Sequence, residues 1–227
     1  MERTRNKSTV DQKTIASLKR LSIVKGRLAT RNLVPGQRVV DEELISGREE
    51  LREWKPHTSK LAAAIKKGLV LEALPDDPNI LYLGAASGTT VSYLSDLFPK
   101  GRIYAVEMSR DPTIDLVLLS ETRRNIIPIL ADARSLTYAH ALPPIDLVFQ
   151  DIAQRDQVDI FKRNCLYARA DAPLLLAVKS RSIDVAAPVA KVAKAARAQL
   201  SGSLRIIQEL RLEPYEKDHV FFNCRWK

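Results

Sequence analysis

From about residue 53 onward, short continuous apolar runs alternate with stretches of helical period. The runs at 80–83, 103–106, 126–130, 146–149 and 174–178 read as buried strands. Between them the spacing predicts helices over 60–71, 90–98, 112–122, 157–168 and 189–200. Thr58 or Ser59 can cap the first, and Asp111 the third, with Pro112 at its first helical position. The helix at 157–168 reads as core packing through Ile160, Phe161 and Leu166, and the one at 189–200 as a solvated helix. The tail alternates over 204–212 and 219–226 around Glu213-Pro214-Tyr215, which reads as a hairpin. Apolar strands separated by helices imply a parallel sheet covered on both faces, here with an antiparallel hairpin at its end. In such sheets ligands bind beyond the carboxyl ends of the strands.

Residues 1–52 follow another pattern. Turn signals at Val34-Pro35-Gly36 and Ser46-Gly47 are flanked by β-like runs at 21–24, 38–40 and 43–45. This predicts a small β appendage (1–52) before the main domain (53–227), with residues 1–12 frayed. The chain has 227 residues, 45% hydrophobic and 28% charged, which suits one globular domain with such an appendage. No apolar run is long enough to span a bilayer, and the first residues show no secretory signal, so no membrane association is expected. Cys165 and Cys224 lie at no metal-ligand spacing, which excludes a zinc ribbon or a disulfide framework, and no metal is expected. The net charge is +9, and residues 1–40 carry ten Lys/Arg against two acids. A basic flank beside a near-neutral body suggests contact with polyanions, although a solvated tail has the same composition.

Chemistry concentrates at the strand ends. Gly84-Ala-Ala-Ser-Gly88-Thr-Thr90 follows the first strand. Glycine there allows close backbone approach, and a helix start offers free N–H groups. The segment lacks both the dinucleotide fingerprint and the lysine of a phosphate loop; alone it also fits a tight strand–helix packing turn. Glu107 ends the second strand, 19 residues after Gly88, where an acid can accept both ribose hydroxyls of an adenosine. Asp132-Ala133 ends the third strand, where a carboxylate can accept from an adenine amino group, and Asp151 ends the fourth. A ligand with one nucleoside and no phosphate, S-adenosylmethionine, fits this set better than NAD.

At this point a family pattern is visible. Asn32-Leu-Val-Pro-Gly36, Arg52-Glu-Trp54, Ser59-Lys-Leu-Ala-Ala-Ala64, Tyr82-Leu-Gly-Ala-Ala-Ser-Gly-Thr-Thr90, Asn125-Ile-Ile-Pro128, Asp132-Ala-Arg134, Asp151-Ile-Ala-Gln154 with Asp156-Gln157, and Leu212-Glu-Pro-Tyr-Glu-Lys-Asp-His219 resemble fibrillarin from about residue 28 to the end. The chain departs from the family pattern at Lys55-Pro-His57-Thr58, at Met108 and at Arg155. With eight glycines and no Gly/Arg-rich leader it looks like an archaeal, cytoplasmic member.

The resemblance implies a Rossmann-like α/β methyltransferase with a mostly parallel seven-stranded sheet. The implied activity is S-adenosylmethionine-dependent 2′-O-methylation of RNA ribose, on pre-rRNA and tRNA, within a box C/D guide ribonucleoprotein. Its implied partners are guide and target RNA, a Nop-domain scaffold and a kink-turn-binding ribosomal-type protein. By motif, the cofactor residues are Gly84, Ala85, Ser87, Gly88, Thr89 and Thr90 from the turn, Glu107 and Met108, Asp132 and Ala133, and Asp151 and Gln154. Lys60, Asp151, Lys179 and His219 match the catalytic set of related 2′-O-methyltransferases. In that reading Asp151 and Lys179 orient the hydroxyl, Lys179 takes its proton, Lys60 holds a phosphate or the ribose, and His219 holds the ribose or the lysine. Singly, each of these side chains also fits an ordinary structural or surface role. A stand-alone methyltransferase on another substrate, and a non-catalytic RNA-binding subunit, are the competing readings.

Overall fold

A computed structural model describes residues 10–72 and 74–227. A four-stranded antiparallel sheet comes first, and it follows a short helix. Asp11 caps that helix, α1 (Gln12–Ser17), through the N–H groups of Lys13 and Thr14. The frayed segment expected over 1–12 is therefore ordered at its end, where Val10 is buried; residues 1–9 lie outside the described residues. Strands β1 (Leu21–Val24) and β2 (Arg27–Arg31) form a hairpin over Lys25-Gly26. Both turn residues have positive φ, as a two-residue hairpin with native twist requires. Strands β3 (Leu44–Ile45) and β4 (Leu51–Glu53) complete the order β1-β2-β4-β3.

The strand expected over 38–40 is not formed. The N–H groups of Val39 and Val40 donate instead to the Glu42 carboxylate, at 2.9 and 2.8 Å, which bends the chain. Glu42 is buried because Arg52 pairs with it.

The main sheet has seven strands: β5 (Asn79–Leu83), β6 (Arg102–Glu107), β7 (Ile126–Leu130), β8 (Leu147–Gln150), β9 (Leu174–Lys179), β10 (Leu204–Arg211) and β11 (His219–Trp226). Their order is β7-β6-β5-β8-β9-β11-β10. Strands β5 to β9 are mutually parallel, and β11 runs antiparallel to both its neighbours. The hairpin therefore does not simply lie along the edge. Its second strand is inserted beside β9, which brings His219 opposite Lys179.

Helices α2 (Lys60–Lys66), α3 (Thr89–Leu97), α4 (Arg110–Thr122), α5 (Gln157–Cys165), α6 (Ser180–Ile183) and α7 (Val189–Leu200) cover the sheet. Three differ from expectation. Helix α2 stops early at Gly68, where the Leu69 N–H returns to the Ala64 carbonyl at 2.9 Å, a Schellman-type closure. Helix α4 starts at Arg110 after Ser109, so Asp111 lies inside its first turn rather than at the cap, where it complements the helix dipole. Helix α5 ends at Cys165, and the chain then turns back to form β9. Cys165 and Cys224 are both buried. Burial pushes the Cys165 thiol well up and the Cys224 thiol up to about 12, which leaves both unreactive.

Two small-sheet motifs of the sequence prove to be structural. Asp96 of α3 is fully buried. It accepts from Thr30 Oγ1 and the Leu33 N–H, each at 2.8 Å, from Arg52 Nη1 at 2.8 Å and from Arg123 Nη1 at 2.6 Å. The Arg52 guanidinium lies over the Tyr93 ring, and Trp54 stacks on Tyr93 at 4.9 Å. Thus Asn32–Gly36 and Arg52–Trp54 lock the small sheet onto α3. Among the described residues, no helix is long and apolar enough to cross a membrane.

Candidate functional site

Side-chain alternation decides which residues meet at the carboxyl edge of the large sheet. Tyr82 on β5, Phe149 on β8 and Phe221 on β11 form an aromatic row beneath α2, with centroids 4.9 and 5.7 Å apart, and Leu175 and Ala177 of β9 share its core. Two residues further toward the edge on each strand come Gly84, Asp151, Lys179 and, on antiparallel β11, His219. A period of two therefore puts all four on one face. Lys60 arrives from above, as the first residue of α2, and its Nζ lies 3.2 Å from Asp151 Oδ2. The four residues of the expected catalytic set thus converge at one rim.

The helix that delivers Lys60 is itself tied to the glycine turn. Ser59 caps α2 through the Ala62 N–H and accepts from Thr90 Oγ1 at 3.1 Å, and Thr90 bonds the Tyr82 phenol. Burial, reinforced by the negative charge of Asp151, pushes the Tyr82 phenol well above its ordinary value, so it remains a donor and is no base. His219 is buried, and its Nδ1 sits 2.6 Å from the Lys217 carbonyl. A carbonyl only accepts, so Nδ1 carries a proton and Nε2 is left for another partner.

On the other side of Asp151 a cleft of about 240 Å³ opens beyond the ends of β5, β6, β7 and β8. Gly84, Glu107, Met108, Asp132, Ala133, Asp151 and Gln154 line it. Ala85, Ser87, Gly88, Thr89 and Thr90 are not among its walls; Thr90 turns to Ser59, and a side chain on Gly88 would strike Leu116 and Leu119 of α4. Gly84 has positive φ, and a Cβ there would lie 2.5 Å from the Asp151 carbonyl oxygen. The first glycine is thus demanded by the neighbouring strand end that carries Asp151.

Glu107 is held before any ligand arrives. Oε2 accepts the Ala86 N–H at 2.9 Å and Oε1 the Ser109 N–H at 2.8 Å. Each oxygen keeps a lone pair for a further donor. Asp132 is gripped by Arg134, through the guanidinium and the backbone N–H, and this hydrogen bonding holds its carboxyl below the usual range. Met108 and Gln154 approach across the cleft, with Nε2 3.9 Å from the thioether sulfur. Sequence reasoning gave no role in the site to Ala86, Ser109 or Arg134, although Arg134 belongs to one of the family motifs. The signals were an acid two residues before a helix-capping serine and an acid two residues before an arginine. No cluster of metal-ligating side chains occurs among the described residues.

A cleft at the carboxyl ends of a parallel sheet, with a pre-oriented ribose-type acid and no phosphate cradle, suits an adenosyl ligand. The chain matches the family model described as Fibrillarin over residues 13–227. It is 45% identical to the fibrillarin-like rRNA/tRNA 2′-O-methyltransferase of Pyrococcus furiosus over 203 residues, 88% of this chain and 89% of that one. Among solved structures, the fibrillarin of a fibrillarin/Nop5p complex superposes with a TM-score of 0.85 at 38% identity, covering 92% of this chain and 98% of that one. The fibrillarin of Aeropyrum pernix, with natively bound S-adenosyl-L-methionine, gives a TM-score of 0.79 at 42% identity, covering 90% and 92%.

Proposed function

The chain belongs to the fibrillarin family, and we propose that Lys60, Asp151, Lys179 and His219 are the residues with which it methylates RNA ribose. It is an S-adenosylmethionine-dependent RNA 2′-O-methyltransferase, and a Nop-domain protein is its partner. S-adenosylmethionine supplies an electrophilic methyl group on a sulfonium. Glu107 is set to take the ribose hydroxyls of the adenosyl group, and Ala133 and Met108 to flank the base, while Asp132 accepts from the adenine amino group beside its bonds from Arg134.

On the opposite side of Asp151 the remaining groups act on the target nucleotide. In-line transfer needs the 2′-oxygen held opposite the sulfur, and a well-held attack geometry supplies several kcal/mol of the barrier reduction. Asp151 orients the hydroxyl, with Lys60 fixing the carboxylate. As the neutral amine, Lys179 at the strand end takes the hydroxyl proton and becomes an ammonium, which then returns a proton to water. His219 offers Nε2 to a ribose hydroxyl. Guide RNA selects the nucleotide, and a kink-turn-binding protein completes the particle. The observation that carries this reading is the shared face of Asp151, Lys179 and His219 beneath the Lys60–Asp151 pair. A positioned base contributes about 10²–10⁴-fold, so Lys179→Ala and Asp151→Ala should lose at least that much turnover in particles reconstituted with radiolabelled methyl donor, with assembly intact. Near-normal turnover in both variants overturns the assignment.

A further inference from the structure

The last residue of β9 has a structural problem. Strand β8 ends at Gln150, opposite Leu176, three residues before Lys179. The main-chain groups of Lys179 on that side therefore have no strand to pair with. A single side chain replaces the missing strand. Gln157, fully buried at the start of α5, accepts the Lys179 N–H through Oε1 at 3.1 Å and donates Nε2 to the Lys179 carbonyl at 3.3 Å. The same Nε2 donates to the Gln154 carbonyl at 2.7 Å. The carbonyl of Gln157 in turn accepts Gln150 Nε2 at 2.6 Å. On the other edge of β9, the Ser180 N–H donates to the Asp218 carbonyl at 2.9 Å, one residue before His219.

These bonds link the two halves of the site. The loop 151–156 carries Asp151 at its start and Gln154, a wall of the cleft, near its end. Gln150 and Gln157 bracket that loop. The Lys179 amine sits on a flexible four-carbon stem in an exposed position, so only its main chain can be fixed rigidly. We propose that Gln157 is a positioning residue for methyl transfer: its amide sets the Lys179 main chain against the loop that carries Asp151 and Gln154. The cofactor side and the hydroxyl side are thereby registered by one group. This inference rests on the catalytic reading of Lys179.

The test uses the reconstituted particle, with cofactor binding to the free chain measured by calorimetry to count competent sites. Gln157→Met keeps the length and apolar volume but removes all three side-chain bonds. Since a displacement of about 1 Å can cost on the order of 100-fold, kcat per cofactor-binding site should fall by roughly 10- to 100-fold. The cofactor Kd and the KM for RNA should stay within about threefold, and the pH dependence of kcat should change shape. Gln157→Glu keeps the acceptor for the Lys179 N–H but turns an oxygen against the Lys179 and Gln154 carbonyls, so its kcat should fall at least tenfold as well; it also decides the matter if the methionine variant does not fold. Lys179→Ala separates the two claims. If Lys179→Ala is inactive while both Gln157 variants turn over normally with an unchanged pH profile, the positioning role is refuted and the catalytic reading stands. If Lys179→Ala is itself active, the catalytic reading fails first. A fall confined to the number of cofactor-binding sites, with normal kcat per site, shows a folding role only and also refutes the proposal.

Discussion

Gly84 lies close against the backbone of Asp151, and Gly84→Ala probes that approach. Two costs follow from the geometry. A residue with a Cβ in the left-handed region costs about 1–2 kcal/mol, and Gly84 has φ +80°. The new Cβ would also lie 2.5 Å from the Asp151 carbonyl oxygen and 3.0 Å from Ile152 Cγ1, so the end of β8 must shift. Forced shifts of a packed interior cost about 1–3 kcal/mol. The sum is about 2–5 kcal/mol. Gly26→Ala is the control, because Gly26 has φ +79° and nothing within 4 Å of a built Cβ. It should lose only the conformational part, about 1–2 kcal/mol.

Equilibrium urea unfolding followed by tryptophan fluorescence measures both variants. The excess loss in Gly84→Ala over Gly26→Ala should be about 1–3 kcal/mol. In reconstituted particles at a temperature where both variants are folded, Gly26→Ala should keep wild-type turnover. Gly84→Ala should lose tenfold or more, because the displaced segment carries Asp151. Equal destabilisation of the two, or full turnover in Gly84→Ala, refutes the claim that this glycine exists to admit the Asp151 backbone.

Two further outcomes concern the junction between the sheets. Asp96→Asn leaves Arg123, and in part Arg52, as buried cations without a counter-charge, which should cost about 3–5 kcal/mol and lower the calorimetric Tm by about 6–20 °C. A loss below 1 kcal/mol contradicts the role of Asp96 as the hub. Glu42 gives a pH test. Burial pushes its carboxyl up, but the N–H groups of Val39 and Val40 and the charge of Arg52 outweigh that and hold it below the ordinary value. A depressed folded value means the stabilisation is complete above the unfolded glutamate range, near pH 4.3, and is lost as pH falls through the folded value. The stability gap between wild type and Glu42→Gln should therefore be constant from pH 5 to 7 and shrink below pH 4. A gap that does not change with pH would contradict this account.

What could be read from the chain followed from local rules. Buried parallel strands are continuous apolar runs, so β5 to β9 were visible, and period-two alternation brings Asp151, Lys179 and His219 to one face. Non-local pairing was not visible. Strand β2 and strand β4 are polar at several positions, and their place is set by Arg52 and Asp96, 44 residues apart in sequence. Nor was the path of the final hairpin evident, since nothing in 204–226 says that the second strand goes inside. Charge was the least transferable signal. The basic excess of residues 1–40 is partly matched in space by acids elsewhere, as in Lys19–Asp76 at 2.7 Å, Arg27–Glu43 at 2.5 Å and Arg31–Glu49. The RNA substrate therefore follows from the family and fits the rim of the large sheet, and that flank adds little.

Asp151 stands on the boundary between two binding problems, and this has a mechanical meaning. Its backbone packs on Gly84 and lines the cleft, while its carboxylate pairs with Lys60 on the side proposed for the target hydroxyl. Methyl transfer tolerates little variation in the distance between donor and acceptor. Asp151, just past the end of a central strand, is tied to the sheet by its N–H bond to the Leu83 carbonyl at 2.9 Å, which helps to set that distance. The adjoining loop can then differ, as at Arg155, without altering the separation, provided both of its ends remain anchored. Gln150 and Gln157 occupy those two ends.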